Sequence, residues 1–94
     1  MVKISWSKSA LKDLKNIHDY ISKDSFLYAS RTISKIITAV DQLEAFPYSG
    51  RMVPEKNDET IREVFQGDYR IFFKVQTPNQ IHILRIHHSA RNVK

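Results

Sequence analysis

The sequence predicts a small α+β domain in which an N-terminal α-helical hairpin packs on one face of a small antiparallel β-sheet. Two patterns predict this fold: apolar residues recur at three- and four-residue steps in the first half, and they alternate with polar residues in the second half. Turn residues separate the alternating segments. The 94 residues suffice for one domain, residues 1–94, with one continuous core. The predicted element order is strand, helix, helix, strand, strand, strand.

A strand and two helices are predicted in the first half. Apolar and polar residues alternate in "VKISW", which indicates a short strand. Ser7 or Ser9 can then cap a helix that runs to about Lys23. Asp24 or Ser25 can cap a second helix, which ends at the proline of "FPYS". Because so few residues join the two helices, they are expected to form an antiparallel hairpin.

Three further strands follow an irregular connection with the sequence "PYSGRMVPEKNDET". The predicted strands are "TIREVFQ", "YRIFFKVQ" and "IHILRIHH", and the turns between them are "GD" and "TPNQ". Three large aromatic residues, Trp6, Tyr20 and Phe46, are expected to anchor the core rather than to stack on nucleic-acid bases.

The register of the last two strands follows from a two-residue turn, "PN", which pairs Thr77 with Gln80. Beneath the helices, the predicted pairs are Val75 with His82, Phe73 with Leu84 and Ile71 with Ile86. On the opposite, open face of the sheet, they are Lys74 with Ile83, Phe72 with Arg85 and Arg70 with His87. The open face is therefore expected to carry basic residues around Phe72. A slip of one residue would bury these charges, so this register is strongly preferred.

The register of the preceding hairpin stays open between two alternatives. A bulge at Gly67 would place Ile61 and Phe65 in the core. The same bulge would place Arg62 on the basic open face. A plain two-residue turn would reverse these orientations.

Composition and charge narrow the possible functions. The net charge is +5 and the pI about 9.6, which favours acidic partners such as nucleic acid or an acidic protein segment. With no cysteine, the chain has no thiolate metal site. His87 and His88 point to opposite faces of a strand, so no metal site is expected, and without a Gly-rich phosphate loop no cofactor is expected. No apolar segment is long enough to span a bilayer, so we expect a soluble, cytoplasmic protein without membrane contact.

Four segments that span nearly the whole chain resemble the RelE/ParE superfamily of toxins from bacterial type II toxin–antitoxin modules. They are "ISWSKSALKDLKNIHDYI", "FPYSGRMVPE", "IREVFQGDYRIFFKV" and "IHILRIHHSAR". The "P-x-x-G-R" after the second helix, the "YRI" strand and the final "H-S-A-R" are most similar to the ParE branch. The resemblance implies a role in plasmid stabilization and a cognate antitoxin with an acidic, amphipathic tail. ParE relatives poison DNA gyrase, and RelE relatives cut messenger RNA on the ribosome.

The RelE branch of this resemblance implies catalytic residues. Glu55, Arg70 and His87 match positions that some ribosome-dependent ribonucleases of the superfamily use. Such chemistry needs a base for the 2′-hydroxyl proton, an acid for the leaving 5′ oxygen and a cation that stabilises the phosphorane. Those ribonucleases commonly carry a tyrosine at or beyond the strand end, where this chain has His88. The alternative roles are a solvated carboxylate at Glu55, an ion pair of Arg70 with Glu63 and an ordinary strand-end histidine at His87.

The ParE branch implies a non-enzymatic inhibitor that binds DNA gyrase, and this is the preferred function. The alternative is a ribosome-dependent mRNA endoribonuclease, and a third hypothesis is a toxin fold with no retained toxicity or with a different target. The candidate target-binding residues are Arg51, Arg62, Arg85, His88 and Arg91. Arg91 is included because the C-terminal end of ParE-like proteins is implicated in toxicity. Arg51, after Gly50, has the alternative role of holding its loop in place.

Overall fold

Two helices lie on one face of a five-stranded sheet in the computed structural model, which describes residues 2–89 and confirms the predicted α+β fold. The elements are β1 (Lys3–Trp6), α1 (Lys8–Ser22), α2 (Phe26–Asp41), a 3₁₀ helix (Gln42–Glu44), β2 (Arg51–Met52), β3 (Ile61–Gln66), β4 (Tyr69–Thr77) and β5 (Gln80–His88). No helix in this part of the chain is long and apolar enough to cross a membrane. Arg91, a candidate target-binding residue, lies outside the described residues.

The strand order in the sheet is β1-β5-β4-β3-β2. The pairs β3–β4 and β4–β5 are antiparallel, as predicted, and β2, which was not predicted, adds a further antiparallel pair with β3. The prediction of a wholly antiparallel sheet is wrong, because β1 runs parallel to β5 and the sheet is mixed. The parallel pairing is possible because nearly the whole chain lies between these two strands and provides a long crossover. The connection predicted to be irregular contains β2, which pairs with Glu63 and Arg62 of β3.

Serine side chains begin both helices. Ser7 caps α1, because its hydroxyl accepts a hydrogen bond from the Ala10 backbone N–H at 2.9 Å. The same hydroxyl donates to the Leu84 carbonyl at 2.8 Å, which ties the start of α1 to β5. Ser25 caps α2 by accepting from the Tyr28 N–H at 3.1 Å. Of the predicted alternatives, Ser7 and not Ser9 caps α1, and Ser25 and not Asp24 caps α2.

The core lies between the helical hairpin and the sheet. Its buried residues include Ala10, Ile36, Val40 and Leu43 from the helical layer and Ile71, Phe73, Val75, Ile81, Ile83 and Ile86 from the sheet. Trp6 packs against this core, as predicted. Tyr20 and Phe46 are 64% and 67% exposed, so the predicted core role is wrong for both. Tyr20 lies outside the apolar stripe of α1, and Phe46 follows the 3₁₀ helix, where the chain leaves the helical layer.

The predicted register of β4 and β5 is correct at both ends and wrong in the middle. The pairs Arg70–His87, Ile71–Ile86, Phe72–Arg85 and Thr77–Gln80 are present. Between them, two bulges shift the register by one residue. Val75 pairs with Ile81, Lys74 with His82 and Phe73 with Ile83, whereas the predicted partners were His82, Ile83 and Leu84, respectively. The physical reason is burial. Strict alternation cannot place both Ile83 and Ile86 in the core, and a bulge at Leu84 allows it.

The hairpin between β3 and β4 has the plain two-residue turn. Gly67 has φ 58°, the positive value that a type II′ turn requires at its first central position. Phe65 is therefore opposite Arg70 and lies on the open face, half-exposed, instead of in the core. Arg62 is opposite Phe73, on the side of the helices. The bulge alternative, with Arg62 on the open face, is wrong.

Candidate functional site on the open face of the sheet

The open face brings together the basic residues that the register predicted. Arg70 and His87 are paired across β4 and β5, and Arg85 is opposite Phe72. The imidazole of His87 meets the Phe72 ring edge to face, with centroids 5.5 Å apart. Because the hairpin has the plain two-residue turn, Glu63 of β3 also lies on this face, opposite Phe72 of β4. The strand pairs thus fix a compact set of charged side chains around one phenylalanine.

Glu63 is the centre of this set. It is 1% exposed, and its carboxylate accepts a hydrogen bond from Arg51 Nε at 2.6 Å and another from Arg70 Nε at 2.8 Å. Arg70 Nη2 donates to the same carboxylate. A buried charge is tolerated when it is paired and hydrogen-bonded, and two guanidinium groups satisfy this carboxylate. The pair with Arg70 was one of the alternatives drawn from the sequence, whereas the burial of Glu63 and its bond to Arg51 were not predicted.

Glu55 adds a second carboxylate to Arg70. It lies in the connection between β2 and β3, and Arg70 Nη2 donates to its two carboxylate oxygens at 3.2 and 3.4 Å. Burial opposes the charge of Arg70, but the hydrogen bonds and charges of Glu63 and Glu55 outweigh it and raise the pKa of Arg70. The guanidinium also lies 4.8 Å from the centroid of the Phe72 ring. Arg70 is therefore a paired, 13% exposed cation.

The "G-R" of the "P-x-x-G-R" motif packs directly against this network. A Cβ at Gly50 would lie 2.7 Å from the Glu63 carbonyl oxygen and 2.8 Å from the Phe73 ring. The chain can approach β3 this closely only without a side chain at position 50. Arg51 then follows in β2 and reaches the Glu63 carboxylate. The motif has a structural role, which is to bring an arginine to a buried acid.

Arg85 has a partner of its own at the other side of the open face. Its Nε and Nη2 donate to the Asp13 carboxylate at 2.8 and 3.1 Å, and the hydrogen bonds raise the pKa of Arg85 against the effect of burial. Asp13 also accepts a hydrogen bond from the Ile86 backbone N–H at 2.9 Å. Because β1 pairs with β5 only as far as Ile83, this carboxylate of α1 caps the edge of β5 where the strand pairing stops.

The two histidines lie on opposite faces of β5. His87 is on the open face, where burial and the charge of Arg85 lower its pKa; Asp13 acts in the opposite direction and Arg70 adds to the lowering. His88 is on the other side, edge to face with the Tyr69 ring at 5.2 Å. Among residues 2–89, no group of three histidine, cysteine or acidic side chains could hold a metal ion.

The candidate target-binding residues do not form one surface. Arg51 and Arg85 are on the open face, at its opposite sides, and each is bound to a carboxylate. Arg62 donates to the Glu59 carbonyl at 2.9 Å and lies 5.7 Å from the Tyr48 ring centroid, on the face of the helices. His88 is on that face as well. The spacing of these residues in the sequence could not show which face of the sheet each one lies on, because the faces depend on the hairpin turn and on the bulges.

Comparison with known proteins identifies the family. Residues 4–93 match the family model described as ParE toxin of type II toxin-antitoxin system, parDE. Toxin RelE2 of Caulobacter vibrioides is 38% identical over 92 residues, which are 97% of this chain and 99% of that protein. The putative toxin Y4kP of Sinorhizobium fredii is 34% identical over 87 residues, 93% of this chain and 88% of that protein.

Two solved structures have the same fold. The chromosomal ParDE toxin–antitoxin system of P. aeruginosa superposes with a TM-score of 0.77 at 24% identity, over 94% of this chain and 96% of that chain. The RelBE2 toxin–antitoxin complex of Mycobacterium tuberculosis superposes with a TM-score of 0.69 at 16% identity, over 93% and 96% of the two chains. Since the family model matches residues 4–93 and the two relatives cover 97% and 93% of this chain, the chain belongs to the ParE toxin family of type II toxin–antitoxin systems, within the RelE/ParE superfamily.

Proposed function

We propose that this toxin acts by binding and inhibiting DNA gyrase and that it does not cleave messenger RNA. The observation that carries the proposal is the ion-pair network of the open face, in which Arg70 binds both Glu63 and Glu55. A ribonuclease needs an available cation to stabilise the phosphorane. Here the corresponding guanidinium is neutralised by two carboxylates of the protein itself. Such a network favours a structural role for these residues.

The candidate proton-transfer groups, His87 and Glu55, also argue against RNA cleavage. Cleavage through the 2′-hydroxyl needs an acid that protonates the leaving 5′ oxygen near neutral pH. The pKa of His87 is lowered by burial and by Arg85, which disfavours the protonated imidazole that would have to act as this acid. Glu55 accepts hydrogen bonds from Arg70, which makes it an acceptor at this site. The residues that match the ribonucleases therefore provide no good acid.

A ribosome-dependent mRNA endoribonuclease is the second candidate, and one observation favours it. Arg70 lies directly opposite His87, and Glu55 reaches Arg70 from the β2–β3 connection, so the three matching residues converge. The names of two similar proteins, Toxin RelE2 and the RelBE2 complex, belong to that branch. On this alternative, Arg70 would exchange its carboxylate partners for phosphate oxygens when the substrate binds.

A cognate antitoxin is the second proposed partner, and the helical hairpin is its proposed docking surface. Leu11 of α1 and Phe26 and Ile37 of α2 are exposed apolar side chains, and Phe26 is 70% exposed. Phe26 and Ile37 are eleven residues apart, three helical turns, and so lie on one face of α2. An amphipathic segment can bury these side chains, and acidic residues in it would complement the net charge of +5. The solved ParDE and RelBE2 systems are toxin–antitoxin assemblies of this fold.

The gyrase contacts are proposed to come from two places. Arg51 and Arg85 keep half or more of their side chains exposed while paired, so they can contact a partner without leaving their carboxylates. The C-terminal "HSAR", which includes Arg91, provides the other contact. Removal of Ser89 to Lys94 is expected to abolish toxicity and to leave antitoxin binding intact.

Supercoiling of relaxed plasmid by purified gyrase tests the proposal. The wild-type protein should inhibit supercoiling, and addition of the antitoxin should restore it. His87→Ala should inhibit as well as the wild type, because the proposal gives His87 no proton to transfer. In cells, expression should cause filaments and an SOS response before translation stops. Arrest of translation without any effect on gyrase would sink the proposal.

A further inference from the structure

The positive charge of the described chain is concentrated in its first segment. Residues 3–23 contain five lysines and two aspartates, a net charge of +3, whereas residues 24–89 contain eight basic and eight acidic residues. One of the two aspartates, Asp13, is bound to Arg85. The positive surface therefore lies on β1 and α1, and the open face, which the sequence predicted to be basic, is compensated.

Three of these lysines form a stripe along α1, which we call the lysine stripe. Lys8, Lys12 and Lys15 are four and three residues apart, so they lie on one face of the helix, and all three are exposed. None of the ion pairs among residues 2–89 includes them. Lys8 is the first residue of α1, whose first turn has no acidic residue, although the helix dipole favours negative charge there. Among residues 2–89, the fold gives these three cations no ion-pair partner.

We propose that the lysine stripe binds the phosphate backbone of duplex DNA. Protein interfaces are depleted in lysine and depend on aromatic and arginine anchors, and the stripe consists of lysines alone. Contacts to phosphates that do not read sequence are commonly made by lysine and arginine. The helix rises about 10.5 Å from Lys8 to Lys15. Measured along the duplex axis, this length corresponds to about three phosphate spacings of one strand of B-form DNA.

The inference rests on the proposed function, because gyrase acts on duplex DNA and an inhibitor bound to gyrase lies near that DNA. The lysine stripe would hold the toxin on the DNA segment while other residues contact the enzyme. The contact is electrostatic and independent of sequence, so its strength depends on the number of lysines and on the salt concentration. These two dependences can be measured without gyrase.

Fluorescence anisotropy of the full chain with a mixed-sequence duplex DNA, from about 50 to about 200 mM salt, tests the inference. The variant K8A/K12A/K15A removes the lysine stripe. The matched control, R31A/K35A/K56A, has the same change in charge at three exposed residues outside the ion pairs of the described chain. The slope of log affinity against log salt should fall in magnitude by about 2.7 for the stripe variant, about 0.9 for each lysine. The control should keep the wild-type slope, and so should K8R/K12R/K15R.

Several results would overturn the inference. One is a wild-type protein that does not bind DNA, and another is an equal loss in both alanine variants, which would reflect net charge alone. Preference for a duplex RNA of the same sequence would assign the stripe to RNA. A stripe variant that binds DNA normally but binds the antitoxin weakly would assign it to a protein partner. Circular dichroism checks that each variant is folded. Because gyrase is absent from the assay, a protein that fails to bind DNA would leave the gyrase proposal standing. Cleavage of mRNA would overturn the gyrase proposal and would leave the DNA-binding result unchanged.

Discussion

The open face of the sheet and the lysine stripe of α1 are both basic in sequence, but their cations are in different states. On the open face, Arg51 and Arg70 bind the buried Glu63, and Glu55 adds a second carboxylate to Arg70. In the lysine stripe, no ion pair of the described residues involves any of the three ammonium groups. The first region binds its cations to carboxylates of the protein, although Arg51 stays exposed enough to contact a partner as well. The second region leaves its cations without an ion pair among the described residues, available to a partner.

The difference follows from residue type and burial. Arginine presents a planar fork of donors that matches carboxylates, and it is the usual cation of partly buried ion pairs. Lysine is a strongly hydrated point charge on a flexible stem, which is suited to exposed contacts with phosphate. A count of charges along a sequence does not separate these states, because it ignores the acids that the fold brings to each cation.

The largest expected effect comes from Glu63, which joins the two arginines of the open face. Glu63→Gln removes the charge that pairs with Arg51 and Arg70, and Arg70 is 13% exposed. Breaking a buried ion pair in this way is expected to destabilise the protein by about 3–5 kcal/mol. Urea denaturation measures this loss. Glu44→Gln, at an exposed position outside the ion pairs of residues 2–89, should change stability by less than about 0.5 kcal/mol. Equal midpoints for the two variants would contradict the structural role of the network.

A second substitution tests how closely the chain approaches that network. Gly50→Ala would place a Cβ 2.7 Å from the Glu63 carbonyl oxygen and 2.8 Å from the Phe73 ring, so the backbone must shift. The expected cost is about 1–3 kcal/mol, as for other overpacked sites. At Gly67, where a Cβ has open space but φ is 58°, alanine should cost about 1–2 kcal/mol through backbone strain alone. Thermal unfolding of both variants compares steric and conformational cost, and an unchanged melting temperature for Gly50→Ala would be evidence against the close approach.

Loss of the Ser7 cap, at the start of the helix that carries the lysine stripe, is expected to lower stability by a smaller amount. Ser7→Ala removes the bond to the Ala10 N–H and the bond to the Leu84 carbonyl. A lost cap typically costs about 0.5–2 kcal/mol. Ser9→Ala is the matched control, since Ser9 lies inside the helix and is exposed, and it should be nearly neutral. Unfolding midpoints that are lowered equally by the two changes would contradict the assignment of Ser7 as the cap.

The smallest expected effect is the pH dependence from His87. Its folded pKa lies below its ordinary value of 6.5, so the unfolded chain takes up the proton first as the pH falls. The contribution of His87 to the free energy of unfolding is therefore fully present above about pH 6.5. As the pH falls below that value, this contribution is lost and the protein becomes less stable. Free energies of unfolding at several pH values should show a flatter decline for His87→Gln than for the wild type. His82→Gln, on the same strand, serves as the control. An identical decline for His87→Gln and the wild type would mean that burial does not hold this imidazole neutral.

Much of the fold could be predicted because it depends on local periodicity. The apolar steps of α1 and α2 and the alternation in β3, β4 and β5 gave the correct elements, and the "PN" turn gave the pairs Arg70–His87 and Thr77–Gln80. The bulges could not be predicted, because they depend on which isoleucines the helices cover. The plain turn at Gly67 had a local signal, a glycine at the first central position, which favours a type II′ hairpin.

The state of the open face could be predicted only in part. The pairing of Arg70 with Glu63 follows from neighbouring strands, and it was one of the alternatives. The convergence of Arg51 and Glu55 on the same network depends on the path of the chain between α2 and β3, which has no periodicity to read. The partner of Arg85, Asp13, comes from a helix seventy-two residues away, and no local pattern connects them. For these reasons the sequence indicated a basic face where the structure has a compensated one.

The most direct test of the central claim, that the cations of the open face are structural and not catalytic, is cleavage of messenger RNA on purified ribosomes by the wild-type protein. Intact mRNA is expected at toxin concentrations that inhibit gyrase, with no difference between the wild type, His87→Ala and Glu55→Gln. Site-specific cleavage by the wild type, lost by about 10²–10⁴-fold in His87→Ala or Glu55→Gln, would contradict it. That result would mean that Arg70 leaves its carboxylates and acts on the phosphorane.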